Sequence, residues 1–162
     1  HLYATDKILE NFNSNAKVAP PIRTEDDRTA LINGLKSGII DCIATDHAPH
    51  AIEDKECDFE QACCGMIGLE TAFPLSYEIL SKNGSSIEEI IKWLTVKPSK
   101  ILGINKQGFS IGSKADICII DLDKKWTFNK ENIYSKSSNS PFIGSKFNTY
   151  IDTVISKGYL FR

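Results

Sequence analysis

Short apolar runs and helically spaced apolar positions alternate through the first two thirds of the chain, and β-branched runs dominate the last third. The clearest run is Gly38-Ile39-Ile40-Asp41-Cys42-Ile43-Ala44. It is short, β-branched and bounded by Gly and Pro, which predicts a buried strand. Ahead of it, Ala30, Leu31, Ile32 and Leu35 form an apolar helical stripe. Thr24 can cap that helix, Glu25, Asp26 and Asp27 suit its first turn, and Gly38 can end it. A short extended segment around Lys17-Val18-Ala19 is stopped by Pro20-Pro21. After the predicted strand a polar loop runs to about Gly68, and a loop of that length in a compact domain is usually functional or disordered. Helices are predicted over about 69–82, with Pro74 near the start, and from the capping box of Ser86 and Glu89. Ile87, Ile90, Ile91 and Leu94 give the second of these its buried stripe, and a short helical turn follows from Pro98 to Gly103. Beyond Gly108, residues 115–122, 126–128, 150–155 and 159–161 read as strands, and 135–141 as a loop. The first half thus reads as βαβα and the second as a small β-rich module, with a boundary near 105–114.

Composition narrows the function classes. The 162 residues are 41% hydrophobic and 25% charged, with a net charge of −2 and a pI near 5.9. No basic surface argues for nucleic acid, and no apolar stretch approaches the roughly 20 residues that span a bilayer. Five cysteines without a C-x-x-C pair suggest reduced thiols in a cytoplasmic protein rather than a disulfide framework. The chain starts at His1 and reads as a piece of a longer polypeptide.

The chemistry-bearing stretch is Thr45-Asp46-His47-Ala48-Pro49-His50, directly after the predicted strand. It places a carboxylate and two imidazoles at the carboxyl end of a strand, where α/β barrels present catalytic groups. The Asp46 carboxylate can both ligate a metal and move a proton. His50 is a donor suited to an anionic substrate, on a link that Pro49 stiffens. The same Asp-His pair could merely cap a turn, and three histidines do not complete a metal site of three or four ligands. Cys63-Cys64-Gly65-Met66-Ile67-Gly68 closes the loop before a helix. Its glycines would let backbone approach a ligand, although a plain turn explains them equally. Arg23 fits an ion pair with nearby carboxylates or a helix end better than an anion site. Trp93 and Trp126 read as packing residues, and Glu53-Asp54-Lys55-Glu56 as a solvated loop.

Several segments together resemble the dihydroorotases of the cyclic amidohydrolase family. They are residues 17–28, 41–50, 65–72, 98–103 and 135–142, in order and with similar spacing over essentially the whole chain. The resemblance implies a (β/α)8 barrel, of which residues 1–108 would supply the last two strand–helix units. Residues 109–162 would give most of a β-rich side domain. It further implies a centre of one or two zinc ions and the reversible cyclisation of N-carbamoyl-L-aspartate to L-dihydroorotate in pyrimidine synthesis. Asp46 matches the last-strand aspartate, metal ligand and proton shuttle. His50 matches the histidine that binds the substrate carboxylate. Cys64 and Gly65 fall where backbone groups hold the ring, and His47 is expected to support the site without ligating. The implied partners are the small-molecule substrate and the N-terminal part of the same enzyme, with room for a homodimer.

The chain departs from the family pattern in three places. Ala19 stands where many dihydroorotases have a carboxylate-binding Asn, and Cys63-Cys64 where they commonly have Pro-Phe. The family's first His-x-His, its bridging lysine or aspartate and its middle-strand histidines have no counterpart here. The chain alone is therefore expected to be inactive. The alternatives are an allantoinase- or hydantoinase-type enzyme, or a non-catalytic scaffold subunit.

Overall fold

The structure is a computed structural model that describes residues 1–104 and 108–161. It is a mixed α/β arrangement. Helix α1 spans Glu25–Ser37, capped by Thr24 as predicted; Thr24 and Asp27 form a capping box, which was not foreseen, and Gly38 at φ 79° closes its end. Helix α2 spans Ala72–Lys82, three residues shorter at its start than the predicted helix. Glu70 explains the difference, because its side chain bonds a distant loop and the chain turns before Thr71. Pro74 lies in the first turn of α2, where its missing N–H breaks no helical bond. Helix α3 (Ile87–Ile91), capped by Ser86 and Glu89, runs through a π turn at Lys92–Val96 into α4 (Lys97–Ile101).

The chain then builds β1 (Ile117–Asp121), β2 (Trp126–Thr127), β3 (Lys146–Phe147), β4 (Tyr150–Ser156) and β5 (Tyr159–Phe161). An antiparallel sheet of order β1-β4-β5 pairs Ile117 with Ile155 and Asp121 with Tyr150, with a bulge between Ile119 and Ile120. A separate pair, β2-β3, sets Trp126 opposite Phe147. The β3 segment was not foreseen, since two residues carry no readable alternation. Part of the domain boundary expected near 105–114 lies on 105–107, outside the described residues.

The predicted strand over 38–44 is not formed. A strand exists only against a partner, and among the described residues none pairs with it. The segment is instead tied by two isolated bonds, Ile40 N–H to Gly34 O and Ile43 N–H to Trp93 O, each 3.0 Å. Ile40 and Ile43 pack on the core, while Ile39 is 83% exposed. The extended segment at Lys17-Val18-Ala19 likewise lacks strand pairing.

Two apolar clusters hold the structure. Ile32, Leu35, Phe73, Leu80, Ile90 and Trp93 form one, with Ile120 and Ile151 packed against it. Ile67, Phe128, Phe142 and Phe147 form the other, with Met66 and Trp126 at its edge. Both therefore join the helical first half to the β-rich second half. Trp93 and Trp126 serve packing, as expected. Large apolar side chains remain outside, among them Leu102 at 71%, Phe109 at 90% and Ile111 at 106% exposure. No helix is long and apolar enough to cross a membrane among the described residues.

Candidate active site

The motif stretch leaves the irregular segment and runs beside residues 65–68. His47 forms a parallel bridge with Met66, and Ala48 N–H donates to Met66 O at 2.9 Å. Gly68 N–H donates to His47 Nδ1 at 3.1 Å. That bond takes up the Nδ1 lone pair and leaves the proton on Nε2, so the imidazole braces the loop and has no free nitrogen lone pair for a metal. Asp46 sits at φ 48°, a left-handed conformation uncommon outside glycine. Its side chain is exposed, and its carboxylate has no hydrogen-bond partner among the described residues. A charged group held in a sparsely populated conformation with free oxygens is the pattern of a functional position.

His50, Cys64 and Gly65 come together. His50 Nε2 lies 3.1 Å from Cys64 O, and its Nδ1 lies 3.9 Å from Asp54 Oδ2. Gly65 has φ 141°, and a Cβ there would meet Ala48 Cβ and His50 Nε2 at 2.7 Å each. Only glycine lets these two loops approach so closely. Most of the polar backbone at this point is already engaged. Gly65 N–H donates to Lys17 O at 2.9 Å. Gly65 O accepts from Lys55 Nζ at 3.0 Å and Asn139 Nδ2 at 3.2 Å. Cys64 N–H is left without a partner among the described residues.

Two residues that organise the site were not singled out from sequence. Asn139 is buried, donates to Ala48 O at 2.9 Å and accepts from His50 N–H at 3.1 Å. Its own carbonyl accepts from Ile67 N–H at 3.0 Å, and the neighbouring Ser137 hydroxyl donates to His50 O. Lys55 belongs to the stretch expected to be solvated, yet it is 4% exposed. Its ammonium donates to Cys63 O at 2.8 Å as well as to Gly65 O, and burial pushes its pKa below the usual lysine range. A single buried cation inside a charged run gives no periodic signal, so sequence alone could not separate it from Glu53 or Glu56. Arg23 pairs with Asp27 at 3.6 Å, the structural role expected of it. An open cleft of about 370 Å³ lies beside His50 and is also lined by Lys130, Ser135, Lys136, Ser137 and Ser138.

Glu70 links this region to the β-rich half. Its Oε1 accepts from Tyr134 N–H at 3.1 Å, from Ser135 N–H at 2.8 Å and from the Ser135 hydroxyl. Burial alone would raise the Glu70 pKa, but the Ser135 hydroxyl and the surrounding backbone N–H groups outweigh it and hold the carboxyl below its ordinary range.

The donors at the motif do not by themselves make a metal centre. Asp46 offers free carboxylate oxygens, whereas His47 Nδ1 and His50 Nε2 already face backbone groups. At most two groups, the Asp46 carboxylate and His50 Nδ1, remain free, short of the three or four ligands that zinc takes.

Comparison with known proteins gives a consistent picture. A family model described as "Amidohydrolase family" matches residues 5–160. A dihydroorotase from Elusimicrobium minutum (strain Pei191) is 48% identical over 161 residues, which is 99% of this chain and 37% of that protein. A dihydroorotase from Caldicellulosiruptor saccharolyticus is 45% identical over 100% of this chain and 38% of its own length. Among solved structures, an L-hydantoinase (dihydropyrimidinase) from Arthrobacter aurescens superposes with a TM-score of 0.87 at 31% identity, over 98% of this chain and 37% of that one. The chain thus spans little more than a third of the proteins it resembles.

The Glu70 clamp predicts a pH dependence. Its folded-state pKa lies below the unfolded value, so its contribution is fully present above the ordinary glutamate range and is lost as pH falls through the depressed folded value. Denaturant midpoints of the protein measured across acid pH should fall less steeply for Glu70→Gln than for wild type. Parallel profiles would remove Glu70 as a stabilising carboxylate.

Proposed function

Because the chain belongs to the amidohydrolase family, we propose that it is the carboxyl-terminal part of a dihydroorotase. In that enzyme it would serve the cyclisation of N-carbamoyl-L-aspartate to L-dihydroorotate in cytoplasmic pyrimidine synthesis. The observation that carries the reading is the 48% identity to a curated dihydroorotase across 99% of this chain. Residues 1–108 would complete a (β/α)8 barrel whose other strands lie elsewhere in the polypeptide, and 109–162 would form a β-rich side domain. The unpaired segment at 38–44 and the exposed Ile39, Leu102, Phe109 and Ile111 support this reading, since a barrel would supply strand neighbours and apolar cover.

Each site residue then has a defined task. Asp46 would contribute one carboxylate to a zinc centre whose remaining ligands come from outside this chain. Zinc, when bound, supplies Lewis-acid chemistry at the amide carbonyl of the ring. In the direction of hydrolysis the Asp46 carboxylate takes the proton of the attacking water and passes it to the departing ring nitrogen. Its free oxygens and solvent exposure suit that exchange. His50 turns its N–H from Cys64 O to the substrate carboxylate. The unpaired Cys64 N–H donates to a carbonyl of the ring, and Gly65 admits the ring edge because it has no side chain. His47 holds the loop through Gly68.

A hydantoinase-type activity is the second reading. It is favoured by Ala19, which has no side-chain donor for a substrate carboxylate, and by the fold shared with the Arthrobacter aurescens L-hydantoinase. Turnover of hydantoin but not of dihydroorotate by the intact enzyme would select it.

Two outcomes test the proposal. In the intact enzyme Asp46→Asn should lower kcat by about 10²–10⁴-fold in both directions, and near-normal turnover would remove Asp46 from proton transfer. The 162-residue chain on its own, supplied with zinc, should not turn over dihydroorotate. Measurable turnover would overturn its assignment as a part of the active centre.

A further inference from the structure

The loop from His50 to Cys63 carries a donor set that the proposed reaction does not use. A carboxylate, an imidazole and a thiol place one ligand-capable atom each within 4.8 Å of one another at Asp54, His50 and Cys63. The backbone builds this arrangement. A turn closed by Asp54 N–H to Ala51 O, at 3.2 Å, brings Asp54 back beside His50. Cys63 N–H donates to Asp54 O at 3.0 Å, which joins the two ends of the loop. Lys55, buried beneath, fixes the Cys63 carbonyl at 2.8 Å. The His50 Nδ1 to Asp54 Oδ2 separation of 3.9 Å is already close to what a shared ion requires.

We propose that His50, Asp54 and Cys63 form a binding site for a thiophilic divalent cation of the zinc and cadmium class. A tetrahedral ion with bonds of about 2.0–2.3 Å spaces its ligand atoms roughly 3.3–3.8 Å apart. The three donors therefore need to close by only about 1 Å, a small rotation of the Asp54 and Cys63 side chains toward the half-buried His50. Mixed nitrogen, oxygen and sulfur ligation selects zinc-like ions over magnesium or calcium. Coordination removes the thiol proton to solvent, so the Asp54 carboxylate and the Cys63 thiolate balance the two charges of the ion. A fourth position stays open for water.

The site has a functional consequence that rests on the reading of His50 as the substrate-carboxylate donor. An ion held at Nδ1 pins the ring in the orientation that keeps Nε2–H on Cys64 O, and so opposes its turn toward the substrate carboxylate. Cys63 stands in the Cys63-Cys64 pair that replaces the family's common Pro-Phe, so the site would be a property of this chain rather than of dihydroorotases in general.

Cadmium is the probe, because its bond to a thiolate gives an ultraviolet charge-transfer band that is independent of activity. The intact enzyme, with its own metal centre filled, is titrated with cadmium alone. Wild type and Cys64→Ser should develop the band, whereas Cys63→Ser should not. Asp54→Asn should weaken binding at least ~10-fold, since loss of even an outer partner of a metal ligand costs 10–100-fold. A band that survives Cys63→Ser, or one that is lost in Cys64→Ser, overturns the site. With dihydroorotate as substrate, cadmium should raise KM in wild type and leave it unchanged in Cys63→Ser. If the band behaves as expected but KM does not move, the ion site stands and the role given to His50 falls.

Discussion

The geometry of the candidate site depends on one buried side-chain amide. Asn139 stands in the β-rich half of the chain, yet its Nδ2 bonds Ala48 O and Gly65 O, and its Oδ1 receives His50 N–H. These three partners come from two loops that no regular sheet connects. An amide has both donors and acceptors in one rigid plane, so it can hold two chain segments at a fixed separation where a hydroxyl or a carboxylate would satisfy only part of the set. Buried in this way, each unmade bond would carry the full desolvation cost of its group. The contact between Gly65 and His50, and with it the position of the imidazole, follows from that arrangement.

The same economy of backbone bonds explains the other buried polar groups. The long loop after the motif buries few apolar residues and cannot be held by a core. Lys55 replaces the core with an ammonium shared between two carbonyls, at the expense of a lowered pKa. Glu70 performs the corresponding task between the start of α2 and the Tyr134-Ser135 loop. The loop is thus a polar-supported structure on the edge of an apolar one, and its ends meet where the proposed chemistry occurs.

The helices were legible in the sequence because their signals are local. Thr24, and Ser86 with Glu89, announce their caps, and Gly38 announces the end of α1, within four residues each. The β1-β4-β5 sheet was legible from its β-branched runs. The strand expected at 38–44 failed for the opposite reason: its apolar run specifies burial, but pairing is a property of neighbours absent from this stretch. At the site, Asp46 and His50 were legible as residue types beside a strand-like run, and Gly65 only as one of the glycines closing the loop before a helix. Asn139 and Lys55 were not, since each acts through partners between 8 and 91 positions away in sequence. The Cys63 thiol was read only as one of five reduced thiols, and only the folded loop places it next to His50 and Asp54.

The central claim, that Asn139 positions His50 and the Gly65 segment together, is tested most directly by Asn139→Ala in the intact enzyme. Unfolding free energy and steady-state kinetics would be measured beside Ser138→Ala as a neighbour control. The account predicts a stability loss of about 2–4 kcal/mol from the unpaired His50 N–H and Ala48 O, together with a raised KM. The control should remain near wild type. Wild-type stability and KM in Asn139→Ala would contradict it.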